Sequence, residues 1–332
     1  MQPAKDITGE GLPPSEPLPG NVNVPGSRYY SNLAYGEGER QRFDLLLPAG
    51  ASAEAPVPLV LYFHGGSFKS GDKSEAYTRR KTYENLADQA QQYLEAGIAF
   101  ASANYTYLNQ PPEKDGVLQR GVLQSLRDCR RALQFIRYHQ DTLHVQAENI
   151  ALHGTSAGAG AALWLGFSSE MAQPEAEDPV LRMSSRVTAV AANDVQGSYD
   201  FQQWEDVIFT EYNVKLAFFL NSPLAGEFLD FYGLNNAESF YTEPYKDYRQ
   251  RVDLLTLMDA EDAPFRVSNQ LTPLKPPGST FALLHHAYHG RALHEQAKRV
   301  GLSHDVYLPA LDITGEYATS ADFLIQALKP NL

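Results

Sequence analysis

Hydrophobic positions along the chain alternate between short apolar runs and longer amphipathic stretches. Val57–Phe63 is continuously apolar and aromatic, as a strand buried on both faces requires. Ile98–Tyr105, Ile150–His153, Val187–Ala192, Phe265–Ser268 and Asp305–Leu308 read as further strands. Between them lie helical patterns at about 74–95, about 117–139, 157–167, 286–300 and 320–328. Ahead of this series, Arg28–Tyr35 and Gln41–Leu47 flank Gly36-Glu37-Gly38 and predict a hairpin. Strands separated by helices of ten to twenty residues predict an α/β fold, with a mostly parallel central sheet and helices on both faces. Residues 1–27 lack periodicity and are rich in Pro, Gly and Asn, predicting an irregular N-terminal arm before a domain at 28–332. Residues 199–259 are loosely patterned but dense in aromatics. Insertions in α/β enzymes gather at the carboxyl ends of strands, so this segment is expected to be a cap over a pocket.

Composition narrows the function. A formal charge of −13 argues against nucleic acid as a partner, because a phosphate backbone needs a basic surface. No apolar run approaches the roughly 18 residues of a membrane span. The expectation is a soluble protein, cytoplasmic or exported with its signal peptide removed. The single cysteine, Cys129, sits in a helical pattern and excludes both an internal disulfide and a cysteine-rich metal site.

Two motifs carry chemistry. His153-Gly154-Thr155-Ser156-Ala157-Gly158 is a Gly-x-Ser-x-Gly between a strand and a small-residue helix. A sharp turn there pushes the Ser156 hydroxyl out of the sheet, and the N–H of Ala157 opens the helix. Upstream, the Val57–Phe63 strand ends in His64-Gly65-Gly66-Ser67-Phe68, where Gly65 and Gly66 bring backbone N–H donors close to an oxyanion. Strand context on both motifs, in this order, points to acyl transfer through a serine.

In these residues the chain resembles the α/β-hydrolase superfamily, and most of all its hormone-sensitive-lipase-like and carboxylesterase-type members. The resemblance covers about 40–200 well and the last third in outline. It implies hydrolysis of a small-molecule carboxylic ester through an acyl-serine, with no cofactor. Ser156 matches the nucleophile, Gly65, Gly66 and Ala157 match the oxyanion donors, and His64 matches a structural residue of the glycine loop. The chain departs from the pattern at its C-terminal end. No acid follows Phe265–Ser268 closely, and no histidine follows His304.

Position along the chain separates the remaining histidines. His139, His144, His153, His294 and His304 are expected to be structural. Leu284-His285-His286-Ala287-Tyr288-His289 follows the long proline-rich stretch Leu271–Leu284, so His285 or His286 is expected to be the base. No carboxylate accompanies this cluster in sequence, so no metal is expected. The acid is then sought after Val187–Ala192, with Asp200 favoured and Asp194 next, or Asp312 in a swapped arrangement. Phe68, Tyr105, Tyr107 and the aromatic insertion are expected to line the substrate pocket. The alternatives are a hydrolase-fold binding protein with lapsed catalysis, or a peptidase or lactonase on the same fold.

Overall fold

The computed structural model describes residues 4–7, 11–78, 85–110, 120–220, 224–270 and 275–329. Eight strands form one sheet: β1 (Arg28–Ala34), β2 (Arg42–Leu47), β3 (Val57–Phe63), β4 (Ala99–Ala103), β5 (Val145–Thr155), β6 (Val190–Asn193), β7 (Phe265–Ser268) and β8 (His304–Tyr307). Their order is β1-β2-β4-β3-β5-β6-β7-β8. β2 runs antiparallel to β1 and β4, and every later pairing is parallel.

Alternate side chains of the strands feed two cores. Leu59, Leu61, Phe63, Leu152, Val190 and Ala192 join the core that includes the helices Val122–Tyr138 and Ala157–Phe167. Val60, Tyr62, Phe100, Ala151 and Ala191 join a second core with the helices Leu86–Glu95 and Ser320–Leu328. Both faces are therefore covered, which is why the parallel strands read as unbroken apolar runs.

The order of connections places the site. From β3 the chain crosses to β4 on one side, whereas from β5 it crosses to β6 on the other. β3 and β5 lie side by side, with Phe63 opposite Gly154. The sheet thus has its topological switch point between them, where the loops at the carboxyl ends diverge and leave a crevice. The His64 loop and Ser156 follow directly from those two strand ends.

Several expectations are corrected. The predicted helix at 74–95 is a short 3-10 turn, Lys73–Tyr77, and a helix from Leu86 capped by Asn85; residues 79–84 lie outside the described residues. The helix expected from Val117 begins at Val122, and 117–119 also lie outside them. β5 starts earlier than predicted and β8 starts at His304 rather than Asp305. The arm is not wholly irregular. Lys5 bridges Leu33, Glu16 bridges Tyr29, and Ile7 and Val22 are buried, so it covers the edge of β1. The described residues of 199–259 include the short helices Leu216–Leu220, Ala225–Tyr232 and Tyr245–Gln250 and a cluster of packed aromatic rings.

Candidate active site

Ser156 has φ 54 and ψ −119, a conformation that costs a non-glycine residue energy and that the flanking packing must impose. A Cβ at Gly154 would overlap the carbonyl of Gly158, and one at Gly158 would overlap the carbonyl of Phe63. Both glycines are therefore needed for the helix Ala157–Phe167 to start against β3 and β5. The Ser156 N–H donates to the Asn193 carbonyl at 2.8 Å, tying the turn to the end of β6. Ala157 begins the helix, where first-turn N–H groups have no intrahelical acceptor and the dipole is positive.

The glycine loop is strained in the same way. Gly66, Ser67 and Phe68 have φ of 107, 54 and 56. The Gly66 carbonyl accepts from the N–H groups of Lys69 and Ser70, which closes the loop into a tight turn. Gly65 lies so near the nucleophile that a Cβ on it would be 3.3 Å from the Ser156 Cβ. Beneath the loop His64 is fully buried and stacks on Tyr105 with ring centroids 4.4 Å apart. Its Nε2 faces the Arg40 guanidinium at 3.3 Å, so Nδ1 carries the proton and donates to the Gly65 carbonyl at 2.7 Å. Burial pulls its pKa down to about 4, so it stays neutral. It braces the loop from below.

Tyr105 is not a pocket residue. It is fully buried, and its hydroxyl donates to the His64 carbonyl at 2.7 Å. Tyr107 lies under the Arg40 guanidinium, with its hydroxyl donating to the Gly71 carbonyl, and lines no cavity beside Ser156. Phe68 does face the crevice.

The two candidate base histidines part company. His285 Nε2 is 3.0 Å from Ser156 Oγ, and its Nδ1 is 3.1 Å from the Phe281 carbonyl oxygen. A carbonyl only accepts, so Nδ1 carries the proton and Nε2 is left to accept from the serine hydroxyl. Burial lowers the pKa of His285 below the usual imidazole value, against a smaller upward pull from the Phe281 carbonyl. His286 faces away. Its Nδ1 accepts from the Tyr288 N–H as the cap of the helix Ala287–Val300, its Nε2 bonds the Lys275 carbonyl, and Phe209 and Tyr212 pack on its ring.

Asp200 is not brought to the histidine. It sits 3.6 Å from Arg249, accepts from the Gln202 N–H, and lies outside the cavity that holds Ser156. Asp312 is exposed, in the turn after Pro309–Leu311. Asp194 does line the Ser156 cavity, at the tip of β6 with φ 52, and its carboxylate accepts from the Gln270 N–H at 3.2 Å. Sequence reasoning missed the five-residue helix Thr280–Leu284, which carries the Phe281 carbonyl and sets His285 at its end. Ser279 ahead of it, capping through the Ala282 N–H, was its one sequence signal.

Two cavities reach the Ser156–Ala157 turn. One, of about 90 Å³, begins at Ala157 and Phe68 and is walled by Trp204, Phe219, Phe228 and Phe231. The other, of about 420 Å³, contains Ser156, His285, Gly65 and Gly66 and is edged by Glu75, Thr78, Asp194 and Gln270. Among the described residues, no three or more His, Cys, Asp or Glu side chains are arranged to hold a metal, and no helix is long and apolar enough to cross a membrane.

The BD-FAE family model matches residues 43–241. Among solved structures, a truncated carbohydrate esterase from gut microbiota superposes with a TM-score of 0.62 at 13% identity, over 96% of this chain and 100% of that one. Esterase B from Lactobacillus rhamnosis, in an inhibited form, gives 0.56 at 16% identity over 93% and 88%. Thermogutta terrifontis esterase 2 phosphorylated by paraoxon gives 0.50 at 15% identity over 86% and 82%. At such identities these likenesses establish the fold. A search of curated proteins found no match.

Proposed function

The chain belongs to the BD-FAE family of α/β-hydrolase-type esterases, and from that membership we propose that it hydrolyses esters of short aliphatic acids with sugar-like alcohols through Ser156. The observation that carries this reading is the 3.0 Å approach of His285 Nε2 to Ser156 Oγ on the strained turn.

Ser156 Oγ attacks the ester carbonyl carbon while its proton passes to His285 Nε2. The imidazolium keeps its Nδ1–H on the Phe281 carbonyl. The oxyanion of the tetrahedral intermediate accepts from the N–H groups of Ala157, Gly65 and Gly66, each such donor contributing about 3 kcal/mol in the transition state. His285 then returns the proton to the departing alkoxide, leaving the acyl-serine. A water takes the alcohol's place, His285 removes its proton, and collapse of the second intermediate frees the acid and the Ser156 hydroxyl.

The leaving oxygen must lie within reach of Nε2, so the alcohol occupies the cavity that contains His285. Its polar rim suits a polyhydroxylated group, in keeping with the carbohydrate esterase among the structural neighbours. The acyl chain then enters the apolar cavity beyond Ala157. At about 90 Å³ it is smaller than the roughly 150 Å³ cavity that accepts a benzene ring. Acetyl to butyryl groups fit such a space. Residues 199–259 act as a cap that supplies Tyr199, Phe201, Trp204, Phe219, Phe228 and Phe231 to this wall.

Two experiments test the reading. Wild type cleaves p-nitrophenyl acetate and is phosphorylated by paraoxon at Ser156, and Ser156→Ala does neither; equal inertness of both proteins refutes it. Phe231 packs on Phe68, Tyr199 and Phe201 in the acyl wall. Phe231→Ala opens this wall and raises the hexanoate-to-acetate ratio of kcat/KM on the order of tenfold, the discrimination one or two methylenes supply. An unchanged ratio places the acyl chain elsewhere.

A further inference from the structure

His285 is held by a helix too short to fix a side chain by itself. The last carbonyls of any helix lack partners within it and must find them elsewhere. Here two consecutive carbonyls of that turn are met by side chains from other segments. Gln196 Nε2 donates to the Leu284 carbonyl at 2.8 Å. His289 Nε2 bonds the Leu283 carbonyl at 2.9 Å, while its Nδ1 accepts from the Gly197 N–H at 3.0 Å. With Nδ1 an acceptor, the proton of His289 is fixed on Nε2, the atom that faces Leu283. Gln196 is 5% exposed and His289 fully buried. Burial drops the His289 pKa to about 3, so the ring stays neutral at working pH and its hydrogen bonds set the tautomer. Trp204 and Phe209 pack edge-on against its ring, and a side chain at Gly197 would press on the His289 backbone.

We infer that Gln196 and His289 are positioning residues that hold His285 on Ser156 by gripping the Leu284 and Leu283 carbonyls. The segment after β6 thus steadies the base through the Gln196 amide. This inference rests on His285 being the general base. In hydrolysis the imidazole must move between the serine proton and the leaving oxygen within a few tenths of an ångström. A turn free to shift by an ångström loses that alignment.

The test uses the full chain, with p-nitrophenyl acetate and ethyl acetate as substrates and a fluorophosphonate as the labelling probe. Gln196→Met keeps the volume and removes the donor. Its kcat falls on the order of 10- to 100-fold, the scale of an ångström misplacement; because Gln196 also lines the acyl cavity, the difference between the two esters, not KM, separates lost alignment of the base from altered binding. Labelling slows in parallel. The loss is larger on ethyl acetate, because its alkoxide needs the proton from His285 and p-nitrophenolate does not. Gln196→Glu, nearly isosteric, recovers activity toward acid pH as its carboxyl gains a proton to donate; this remains informative if the methionine variant fails to fold. His289→Gln, with an amide acceptor and donor, retains far more activity than His289→Phe. Gln196→Met with kcat within twofold of wild type on both esters, or equal losses on the two, overturns the inference alone. A wild type that is neither labelled nor faster than Ser156→Ala overturns the reading on which it rests.

Discussion

Replacing His285 with alanine lowers kcat toward p-nitrophenyl acetate on the order of 10³-fold or more, with little change in KM. The imidazole is the group within hydrogen-bond reach of Ser156 Oγ, and without it the hydroxyl proton has no acceptor as the nucleophile attacks. Binding is largely spared, since the acyl wall is built from other side chains and His285 is one of many residues lining the alcohol cavity. His286→Asn serves as the matched control. Asparagine preserves the helix cap that His286 provides, and activity stays within about threefold of wild type. The pH profile has a sign set by burial. Because the pKa of His285 lies below 6.5, Nε2 remains unprotonated as pH falls through that value. The plateau of kcat/KM therefore extends to the acid side of pH 6.5, and activity is lost only as pH falls through the lowered pKa. Full activity in His285→Ala, or an acid limb centred above pH 6.5, removes His285 from the mechanism.

The split between legible and hidden features follows from what a side-chain sequence encodes. β3, β7, the helix Ala157–Phe167 and the closing helix Ser320–Leu328 have the predicted bounds, because continuous apolar runs and small-residue patterns leave little choice of partner. The serine turn is equally legible, since its glycines answer to backbone overlaps with Phe63 and Gly158. His285 was reachable only by elimination. Nothing local separates it from His286, and the difference is one step of backbone: one ring ends a helix facing Ser156 and the next caps the following helix. The partner of its Nδ1 was not legible at all, because a main-chain carbonyl leaves no residue type to recognise. Asp200 was misplaced for a related reason. An aspartate near a strand tip reads the same whether it turns to the crevice or, as here, to Arg249. Tyr105 shows the converse, an aromatic near the oxyanion loop that lies under it as a brace.

Acidification destabilises the fold well before its carboxylates are titrated out. Of the buried imidazoles, His64 has its pKa lowered to about 4, and His153 and His289 to about 3. Burial is the leading cause in each case. An unfolded histidine titrates near 6.5, so below that pH the unfolded chain binds protons that the folded chain refuses. The folded pKa values are depressed, and stability accordingly falls as pH drops from 6.5 toward 4 and is level above about 7.5. At pH 4 each site contributes roughly 3 kcal/mol of destabilisation. The expected result is a thermal midpoint that declines steadily as pH falls below 6.5. His153 isolates the effect, because the readout is stability rather than activity and its fully buried ring hydrogen-bonds, among the described residues, only the Tyr93 hydroxyl and the Asn193 amide. His153→Gln removes one titrating group, so its midpoint falls less steeply with acid than that of wild type, even if it starts lower at pH 8. Parallel slopes for the two proteins between pH 7 and pH 4.5 refute the assignment of acid sensitivity to these imidazoles.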